Sequence, residues 1–359
     1  MWPIVTSDHH LAVTRVLASG RLTDSGFTGV STEVEAFERD FAKRVGARHA
    51  VMCQSGTAAI HAALLALKAE SVVAPTLSFS GTVLGARLSG IPIVWNDIDP
   101  EWGHVAEWTT DADVAIPVHL HGNRAPIPPE GRYRAIVEDC AQAFGTLDEM
   151  GRQVGTTGDA AAWSLNATKT LWAGEGGVLT TDNPELAADV RAIVRFGGNW
   201  TNSWRVGYNW KPDELRAALA RASLLHVDTW IAQAREAASQ LDDALRTSTT
   251  LRPLSFVGSP NGHKYRVRVV NGDVTATELR ERLAEAGVET SIWQTWPLSQ
   301  MDAFRCRPNS WPWHSWPWHD SGATALLRDS FLIGSETTPL AATTPALVRN
   351  WARTLSQVA

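Results

Sequence analysis

HAVMCQSGTAAIHAALLAL, residues 49–67, is the stretch of sequence that decides the fold. Its first five residues, His49 to Cys53, are mostly apolar and predict a short strand. The small residues Ser55 to Thr57 follow, and the Ala- and Leu-rich run Ala58 to Leu67 predicts a helix directly after them. A strand, a small-residue turn and a helix in this order predict the beginning of an α/β unit.

The same alternation of strands and helices surrounds this unit. Upstream, Thr32 to Gly46 is predicted to be a helix, because Thr32 and Glu35 form a capping box and Gly46 suits a left-handed stop. Further helices are predicted at Gly81 to Ser89, Pro184 to Arg195 and Glu214 to Ala238. Further strands are predicted at Val72 to Ala74, Ile91 to Val94, Val114 to Val118, Ala135 to Val137, Ala160 to Ser164 and Gly177 to Thr181. This alternation predicts an α/β fold with a mostly parallel sheet that is covered on both faces.

The pattern changes after about residue 245. Lys264 to Val270 predicts a strand and Thr275 to Ala286 a helix, which together indicate a smaller α+β domain. The chain has 359 residues, a length that suits two domains. We therefore predict a large domain over residues 1–240 and a small C-terminal domain over residues 241–359.

Tryptophan is unusually frequent, with 17 in the chain against three tyrosines. The pentapeptide SWPWH occurs twice in tandem, at residues 310–314 and 315–319, and its prolines forbid regular structure there. His314 and His319 have no third ligand nearby in sequence, so we expect no metal site. An irregular loop packed through its tryptophans is expected, and an aromatic wall beside an active site is the alternative.

The composition excludes several classes of protein. Lys and Arg number 32 and Asp and Glu 38, so the net charge of −6 is a poor match to nucleic acid. No apolar run approaches the roughly 18 residues of a membrane span, and the N-terminus lacks the pattern of a signal peptide. Cys53, Cys140 and Cys306 are too few and too widely spaced for a disulfide framework, which favours a cytoplasmic location.

The turn Ser55-Gly56-Thr57 is the first candidate site, because it precedes a predicted helix. Free backbone N–H groups and the helix dipole make such a turn able to hold an anion. A plain helix cap is the alternative, since Ser and Thr are ordinary N-cap residues. No Walker lysine follows the turn, so a nucleotide-binding P-loop is not indicated.

Asp139 is the second candidate, at the end of the predicted strand in Ile136-Val137-Glu138-Asp139. Open α/β sheets bind ligands at the carboxyl ends of their strands, although an aspartate that caps the next helix is the alternative. Gln142 follows three residues later and would face the same way as Asp139 if a helix began there.

Lys169 is the third candidate, in Ser164-Leu-Asn-Ala-Thr-Lys169 just before the glycine-rich Gly174-Glu-Gly-Gly177. Lysines prefer solvated surfaces, so a surface lysine is the alternative here. A lysine with a depressed pKa is the usual amine for Schiff-base chemistry. An anion cradle, a carboxylate and a lysine at predicted strand ends are together what pyridoxal phosphate requires.

With these motifs, the sequence resembles the DegT/DnrJ/EryC1/StrS aminotransferases. The resemblance covers about Leu17 to Phe304 in seven pieces: FERDFAKRVGARHAVMCQSGTAAIHAALLAL, APTLSFSGTVLGA, IPIVWNDIDP, IPVHLHG, VEDCAQAFG, WSLNATKTLWAGEGGVLTT and VGYNWKPDELRAALA. It implies a fold-type I transferase that uses pyridoxal 5'-phosphate in sugar or antibiotic biosynthesis.

The resemblance also implies the chemical roles of particular residues. Lys169 matches the family's Schiff-base lysine, which can also move protons. Asp139 matches the aspartate that pairs with the pyridine nitrogen, and Gln142 matches the residue beside the ring hydroxyl. Each match is carried by the motifs VEDCAQ and SLNATK as they stand in this chain.

The remaining matches concern the phosphate and the ring. Gly56, Thr57 and Ser164 match the phosphate contacts, and Phe79 matches the aromatic residue that stacks on the ring. Asn209 matches an asparagine that reaches the phosphate in the partner subunit, which implies a homodimer with shared active sites.

The chain also departs from the family. Leu165 and Asn166 stand where the family often has an aromatic residue and a histidine, and a common histidine is missing from Arg195-Phe-Gly-Gly198. The loop Lys68 to Ser71 is short, and nothing beyond Phe304 matches. These regions tend to hold substrates, so the resemblance says least about the substrate.

The resulting prediction is an aminotransferase that moves an amino group from glutamate or glutamine to a keto group of a sugar, cyclitol or related intermediate. The alternatives are the family's dehydratase branch, in which histidine replaces the lysine, and a non-catalytic regulatory homologue. The presence of Lys169, Asp139 and Gln142 favours the aminotransferase.

Overall fold

The computed structural model describes residues 2–23, 32–198, 202–304 and 320–358. The helices are α1 (Ser7–Ser19), α2 (Glu33–Val45), α3 (Gly56–Ala66), α4 (Gly81–Leu88), α5 (Pro184–Val194), α6 (Glu214–Leu245), α7 (Ala276–Glu285), α8 (Ser321–Arg328) and α9 (Pro345–Val358). The strands are β1 (His49–Cys53), β2 (Val72–Pro75), β3 (Ile93–Asn96), β4 (Val114–Ala115), β5 (Ala135–Asp139), β6 (Ala160–Ser164), β7 (Gly177–Thr181), β8 (Leu251–Pro253), β9 (Tyr265–Val269), β10 (Thr290–Ser291) and β11 (Ser330–Ile333).

Helix α2 shows why local sequence was a good guide in this part of the chain. Thr32 accepts a hydrogen bond from the backbone N–H of Glu35 at 3.1 Å, which completes the predicted capping box. Gly46 ends the helix in the left-handed conformation with φ 86°. Phe37 and Phe41 are fully buried on the inward face, so the apolar spacing and both caps agree.

A seven-stranded sheet with the order β1-β7-β6-β5-β4-β2-β3 forms the centre of the larger part of the molecule. Every neighbouring pair is parallel except the two that involve β7, which is antiparallel to β1 and to β6. The predicted α/β fold with a mostly parallel sheet is confirmed. Since the parallel strands point the same way, the carboxyl ends of β1, β2, β5 and β6 meet at one edge of the sheet.

The C-terminal part contains a second, antiparallel sheet with the order β10-β11-β9-β8. The long helix α6 packs against α1, α2 and α9. One buried apolar cluster joins both parts, with Phe41 and Trp163 from the first and Phe331 and Trp351 from the second. The predicted domain boundary near residue 240 lies within α6, and the two-domain division stays a prediction.

The structure differs from the sequence-based expectation at several elements. Strand β4 ends at Ala115 rather than Val118, in keeping with Pro117, which has no N–H to donate to a ladder. The residues after Asp139 form turns and no helix. Helices α1, α8 and α9 and strands β8, β10 and β11 were not predicted.

None of the described helices combines the length and the apolar character needed to cross a bilayer. The SWPWH repeat and Cys306 lie outside the described residues. The other two cysteines, Cys53 and Cys140, are buried free thiols, and burial raises the pKa of Cys53 to about 12.

Candidate active site

Strand register brings the turn before α3 against the end of β6. Cys53 at the end of β1 and Ser164 at the end of β6 both pair with Gly177 of β7, so they lie level in the sheet. The position of a Cβ on Gly56 would be 3.2 Å from Ser164 Cβ and 3.3 Å from the carbonyl oxygen of Trp163. Glycine at this position therefore lets the helix start approach the strand end closely.

A cavity of about 350 Å³ opens at this edge of the sheet. It is lined by seven of the eight residues that were predicted to bind the cofactor: Gly56, Thr57, Phe79, Asp139, Gln142, Ser164 and Lys169. The structure thus brings together residues that are more than 100 positions apart in the chain. Asn209 is the predicted residue that does not line the cavity.

The N-terminus of α3 forms one wall of the cavity. The Ser55 side chain accepts a hydrogen bond from the backbone N–H of Ala58 at 3.1 Å and so caps the helix. Among the described residues, the backbone N–H groups of Gly56 and Thr57 have no acceptor. Both readings of this turn from sequence are therefore compatible: Ser55 caps the helix, and the next two amides are free to bind an anion.

Asp139 ends β5 and is 5% exposed. Its carboxylate accepts hydrogen bonds from Thr82 Oγ1 at 2.7 Å and from the backbone N–H of Ala141 at 3.1 Å. Burial raises the pKa of Asp139 above its ordinary value, although these bonds and the nearby Lys169 act in the opposite direction. A buried carboxylate that faces a cavity with so few donors would be stabilised by a cation placed there.

The neighbouring Glu138 is 1% exposed but fully bonded. It accepts hydrogen bonds from His119 Nε2 at 2.8 Å and from the backbone N–H groups of Gly155, Thr157 and Gly158 at 2.9, 2.8 and 2.6 Å. Burial alone would raise the pKa of Glu138, but the bonds from His119 and the backbone lower it below its ordinary value. Glu138 therefore holds the loop behind the cavity in place.

Lys169 lies in the loop between β6 and β7 and faces the cavity. Its backbone N–H donates to the carbonyl of Asn166 at 2.9 Å, which closes a tight turn. The dense protein around the amine lowers the pKa of Lys169 to about 8, with a further contribution from the positive charge of Lys264. A large fraction of this amine is therefore neutral near pH 8, as a nucleophilic lysine requires.

The loop that carries Lys169 is held by its own polar side chains. Asn166 accepts from the backbone N–H and the hydroxyl of Thr168 at 2.9 and 2.8 Å, and it donates to Glu175 at 2.7 Å. The Asn166 amide therefore organises the loop that carries Lys169.

Gln142 lies in a turn after β5 and is 7% exposed. Its side-chain oxygen accepts a hydrogen bond from the backbone N–H of His121 at 2.6 Å. The helix that was the alternative context for Asp139 is absent, yet Asp139 and Gln142 line the same cavity. The shared orientation comes from the turn and from the contact with His121.

Two residues from the C-terminal part complete the lining: Trp293 and Glu336. The Glu336 carboxylate forms an ion pair with Lys264 Nζ at 3.0 Å. Neither of these residues was predicted from the sequence, and neither were Thr82, His119 and Glu138. His119 and Glu138 stand in the family-like motifs VHLHG and VED, where they could have been noticed. No local sequence pattern marks Trp293 or Glu336.

Asn209 lies on the surface of the segment between α5 and α6. It accepts a hydrogen bond from Lys211 Nζ at 2.6 Å and pairs with Arg195 through a backbone bridge. The large apolar side chains of Trp204 and Val206 are 60% and 90% exposed nearby. Within this chain Asn209 is therefore separate from the cavity and lies in the same exposed segment as these apolar side chains.

Comparison with known proteins identifies related sequences. The chain matches the model of the DegT/DnrJ/EryC1/StrS aminotransferase family over residues 3–319. It is 32% identical over 307 residues to the erythromycin biosynthesis sensory transduction protein EryC1 of Saccharopolyspora erythraea. That match covers 80% of this chain and 82% of the relative.

Solved structures show the same fold. The match to DesV of S. venezuelae has a TM-score of 0.80 and 26% identity, and covers 96% of this chain and 94% of DesV. The match to GDP-4-keto-6-deoxy-D-mannose-3-dehydratase of E. coli, solved with hydrated pyridoxal phosphate, has a TM-score of 0.81 and covers 100% and 99%. At 20% identity the latter match concerns the fold alone.

The residues around the cavity fit pyridoxal 5'-phosphate, which is the cofactor of this chain. Free amides at the start of α3 suit its phosphate, and the buried Asp139 carboxylate suits a protonated ring nitrogen. Lys169 would offer an amine of lowered pKa to its aldehyde. The three groups stand at or after the ends of three different strands, β1, β5 and β6, along the same edge of the sheet.

Proposed function

Because the chain belongs to the DegT/DnrJ/EryC1/StrS aminotransferase family, we propose that it moves an amino group from glutamate or glutamine to a keto group. The acceptor is a sugar, a cyclitol or a related intermediate of sugar or antibiotic biosynthesis, and the reaction takes place in the cytoplasm. The observation that carries this proposal is a lysine of lowered pKa facing the same cavity as a buried carboxylate and a helix N-terminus.

Each residue has a defined task in this reaction. The bound cofactor supplies an electron sink for breaking a bond at the amino carbon. The Asp139 carboxylate offers a buried negative charge that holds a proton on a neighbouring ring nitrogen. Lys169 Nζ, with a pKa of about 8, can accept a proton and return it close to neutral pH. The free amides of Gly56 and Thr57 orient the phosphate.

A half-reaction measures the proposed activity without knowledge of the acceptor. Purified holoenzyme is mixed with single amino acids while the visible absorption of the cofactor is followed. Glutamate or glutamine should bleach the visible band, and the product should be pyridoxamine phosphate by chromatography. An enzyme that left the band unchanged with both donors would contradict the proposed donor class.

Borohydride reduction followed by peptide mapping tests the position of the cofactor. We expect the pyridoxyl group on Lys169. Attachment to Lys211 or Lys264 instead would show that the assignment of the amine is wrong.

The two alternatives differ in the role of Lys169. A dehydratase of the family resembles this chain in fold but carries histidine at the lysine position, so attachment to Lys169 speaks against it. A non-catalytic homologue is suggested by the name of the S. erythraea relative. Such a protein has no physical need for Lys169, Asp139 and Gln142 together, and it would give no half-reaction.

We further propose that the active unit is a homodimer in which Asn209 serves the partner's active site. Asn209 is exposed and outside its own cavity, and Trp204 and Val206 present an apolar surface beside it. Asn209→Ala should weaken cofactor binding about ten- to a hundredfold, since a bond to a charged phosphate is lost.

Subunit complementation tests the shared site. Inactive Lys169→Ala protein is mixed with Asn209→Ala protein under conditions that allow subunit exchange. If sites are shared, one site of the mixed dimer recovers both residues and activity above that of either variant returns. A fully active monomer would refute the proposal.

A further inference from the structure

Arg266 on β9 is a buried cation that the proposed reaction does not use. It is 4% exposed, and among the described residues it forms no ion pair with a carboxylate. Its Nε donates to Ser330 Oγ at 2.8 Å and one terminal nitrogen donates to His121 Nε2 at 3.0 Å. Burial lowers the pKa of Arg266 to about 10. A buried charge without a counter-ion is costly, so this arrangement calls for a role.

The contact with Arg266 decides which nitrogen of His121 carries the proton. A guanidinium can only donate, so His121 Nε2 must accept and the imidazole must be neutral with its proton on Nδ1. Burial and the charge of Arg266 lower the pKa of His121 well below its ordinary value, which agrees with this tautomer. The ring also packs edge-on against Trp293, which lines the cavity.

His121 in turn decides the orientation of Gln142. The backbone of His121 has φ 62°, and its N–H donates to the Gln142 side chain at 2.6 Å. Because a backbone N–H needs an acceptor, the facing atom of Gln142 is the oxygen. The amide NH₂ of Gln142 therefore remains as the group that can donate into the cavity.

We propose that Arg266 is a positioning residue for the cofactor, acting through His121 on Gln142. The guanidinium holds the imidazole, the imidazole keeps the left-handed turn at His121 in place, and that turn presents the Gln142 NH₂ group to the ring oxygen. The inference rests on the proposed function, because Gln142 is placed beside the ring hydroxyl there. It adds a connection from the C-terminal sheet to a specific atom of the cofactor site.

The experiment titrates the visible absorption of the bound cofactor with pH, since a donor on the ring oxygen changes the apparent pKa of that band. Gln142→Ala defines the size and direction of the shift when the donor is lost. Arg266→Met should shift the apparent pKa in the same direction, by about half a unit or more. It should also weaken cofactor binding, measured by fluorescence, severalfold.

Arg268→Met is the matched control, because Arg268 is two residues along β9 and on the same face of the strand. Its side chain is 21% exposed and lies 3.7 Å from Glu101, outside the contact with His121. We expect this variant to titrate like the wild type. A shift equal to that of Arg266→Met would attribute the effect to loss of any arginine on β9 and would overturn the proposal.

A double variant separates action through Gln142 from a general structural effect. In the Gln142→Ala background, Arg266→Met should cause no further shift of the titration. An equal, additive shift in that background would overturn the proposal.

His121→Ala keeps the inference testable if Arg266→Met does not fold. Alanine lacks the imidazole and does not favour the left-handed backbone that His121 adopts, so it should reproduce the shift of Arg266→Met. A wild-type titration with His121→Ala would contradict the proposal. If Gln142→Ala itself left the titration unchanged, the assignment of Gln142 in the proposed function would be wrong, and the inference with it. If Gln142→Ala shifted the titration but the Arg266 and His121 variants did not, only the further inference would be refuted and the proposed function would stand.

Discussion

Glu138 and Asp139 are neighbouring carboxylates at the end of β5, and both are buried, yet their surroundings differ. Glu138 faces the loop 155–158 and His119 and accepts four hydrogen bonds, so its pKa falls below the ordinary value. Asp139 faces the cavity with two hydrogen bonds, and its pKa rises. The protein completes the surroundings of the first carboxylate itself and leaves those of the second for a ligand to complete.

The comparison extends to the other side of the cavity. Lys169 also faces the cavity, and its surroundings favour the neutral amine, because they lower its pKa to about 8. Groups held away from their preferred charge state are typical of functional sites, whereas fully bonded charges stabilise the fold. The contrast predicts that changes on the cavity side remove activity and that changes on the Glu138 side remove stability.

The largest expected effect comes from Lys169→Ala. This change removes the nucleophile and the proton-transfer group at once, so turnover should fall by roughly 10⁴-fold or more. Steady-state rates with an amino donor measure the loss. The variant should still retain some cofactor through the amides at the start of α3, and equilibrium dialysis checks this. Residual activity within tenfold of the wild type would refute the role of Lys169.

Asp139→Asn should follow, with turnover reduced roughly 10²- to 10³-fold. The amide is nearly isosteric but cannot hold a proton on the ring nitrogen. The apo form should be at least as stable as the wild type near neutral pH, because a desolvated charge is gone. Thermal unfolding of the cofactor-free protein measures this stability. A clear loss of stability would mean that Asp139, like Glu138, stabilises the fold.

Glu138→Gln is the counterpart on the other side of β5. The NH₂ group of glutamine would face backbone N–H groups that now donate to Glu138, so stability should fall by about 2–4 kcal/mol. Denaturant unfolding measures this loss. The folded fraction of Glu138→Gln should have a turnover closer to that of the wild type than Asp139→Asn has. If both variants lost turnover equally, the proposed difference between a stabilising Glu138 and a catalytic Asp139 would be wrong.

The last expected effect is the pH dependence of the stability of Lys169→Met in the cofactor-free protein. The folded state lowers the pKa of Lys169 from 10.5 to about 8, so the buried ammonium destabilises the wild type fully below the folded value. That destabilisation disappears as the pH rises toward 10.5. The variant should therefore melt higher than the wild type at pH 7, and the difference should vanish at alkaline pH. A difference that does not change with pH would indicate a packing effect only.

Much of the fold could be predicted because its signals are local. The bounds of β1, β6 and β7 agree with the prediction, and α2 has both predicted caps. The failure at the predicted fourth strand also has a local cause, because Pro117 cannot donate to a ladder and the strand ends at Ala115. Helices α1 and α9 were not predicted because no sequence motif that we recognised accompanies their apolar residues.

The sequence by itself determined the α/β alternation, the family and the cavity residues that stand in motifs at strand ends. Periodicity, caps and glycine turns act within a few residues, so they can be recognised along the chain. Only the tertiary structure decided that His119 and the loop 155–158 enclose Glu138, and that Arg266 and Trp293 meet His121 across a separation of more than 140 residues. Such contacts depend on how two sheets pack, and packing is set by the whole core rather than by any single segment.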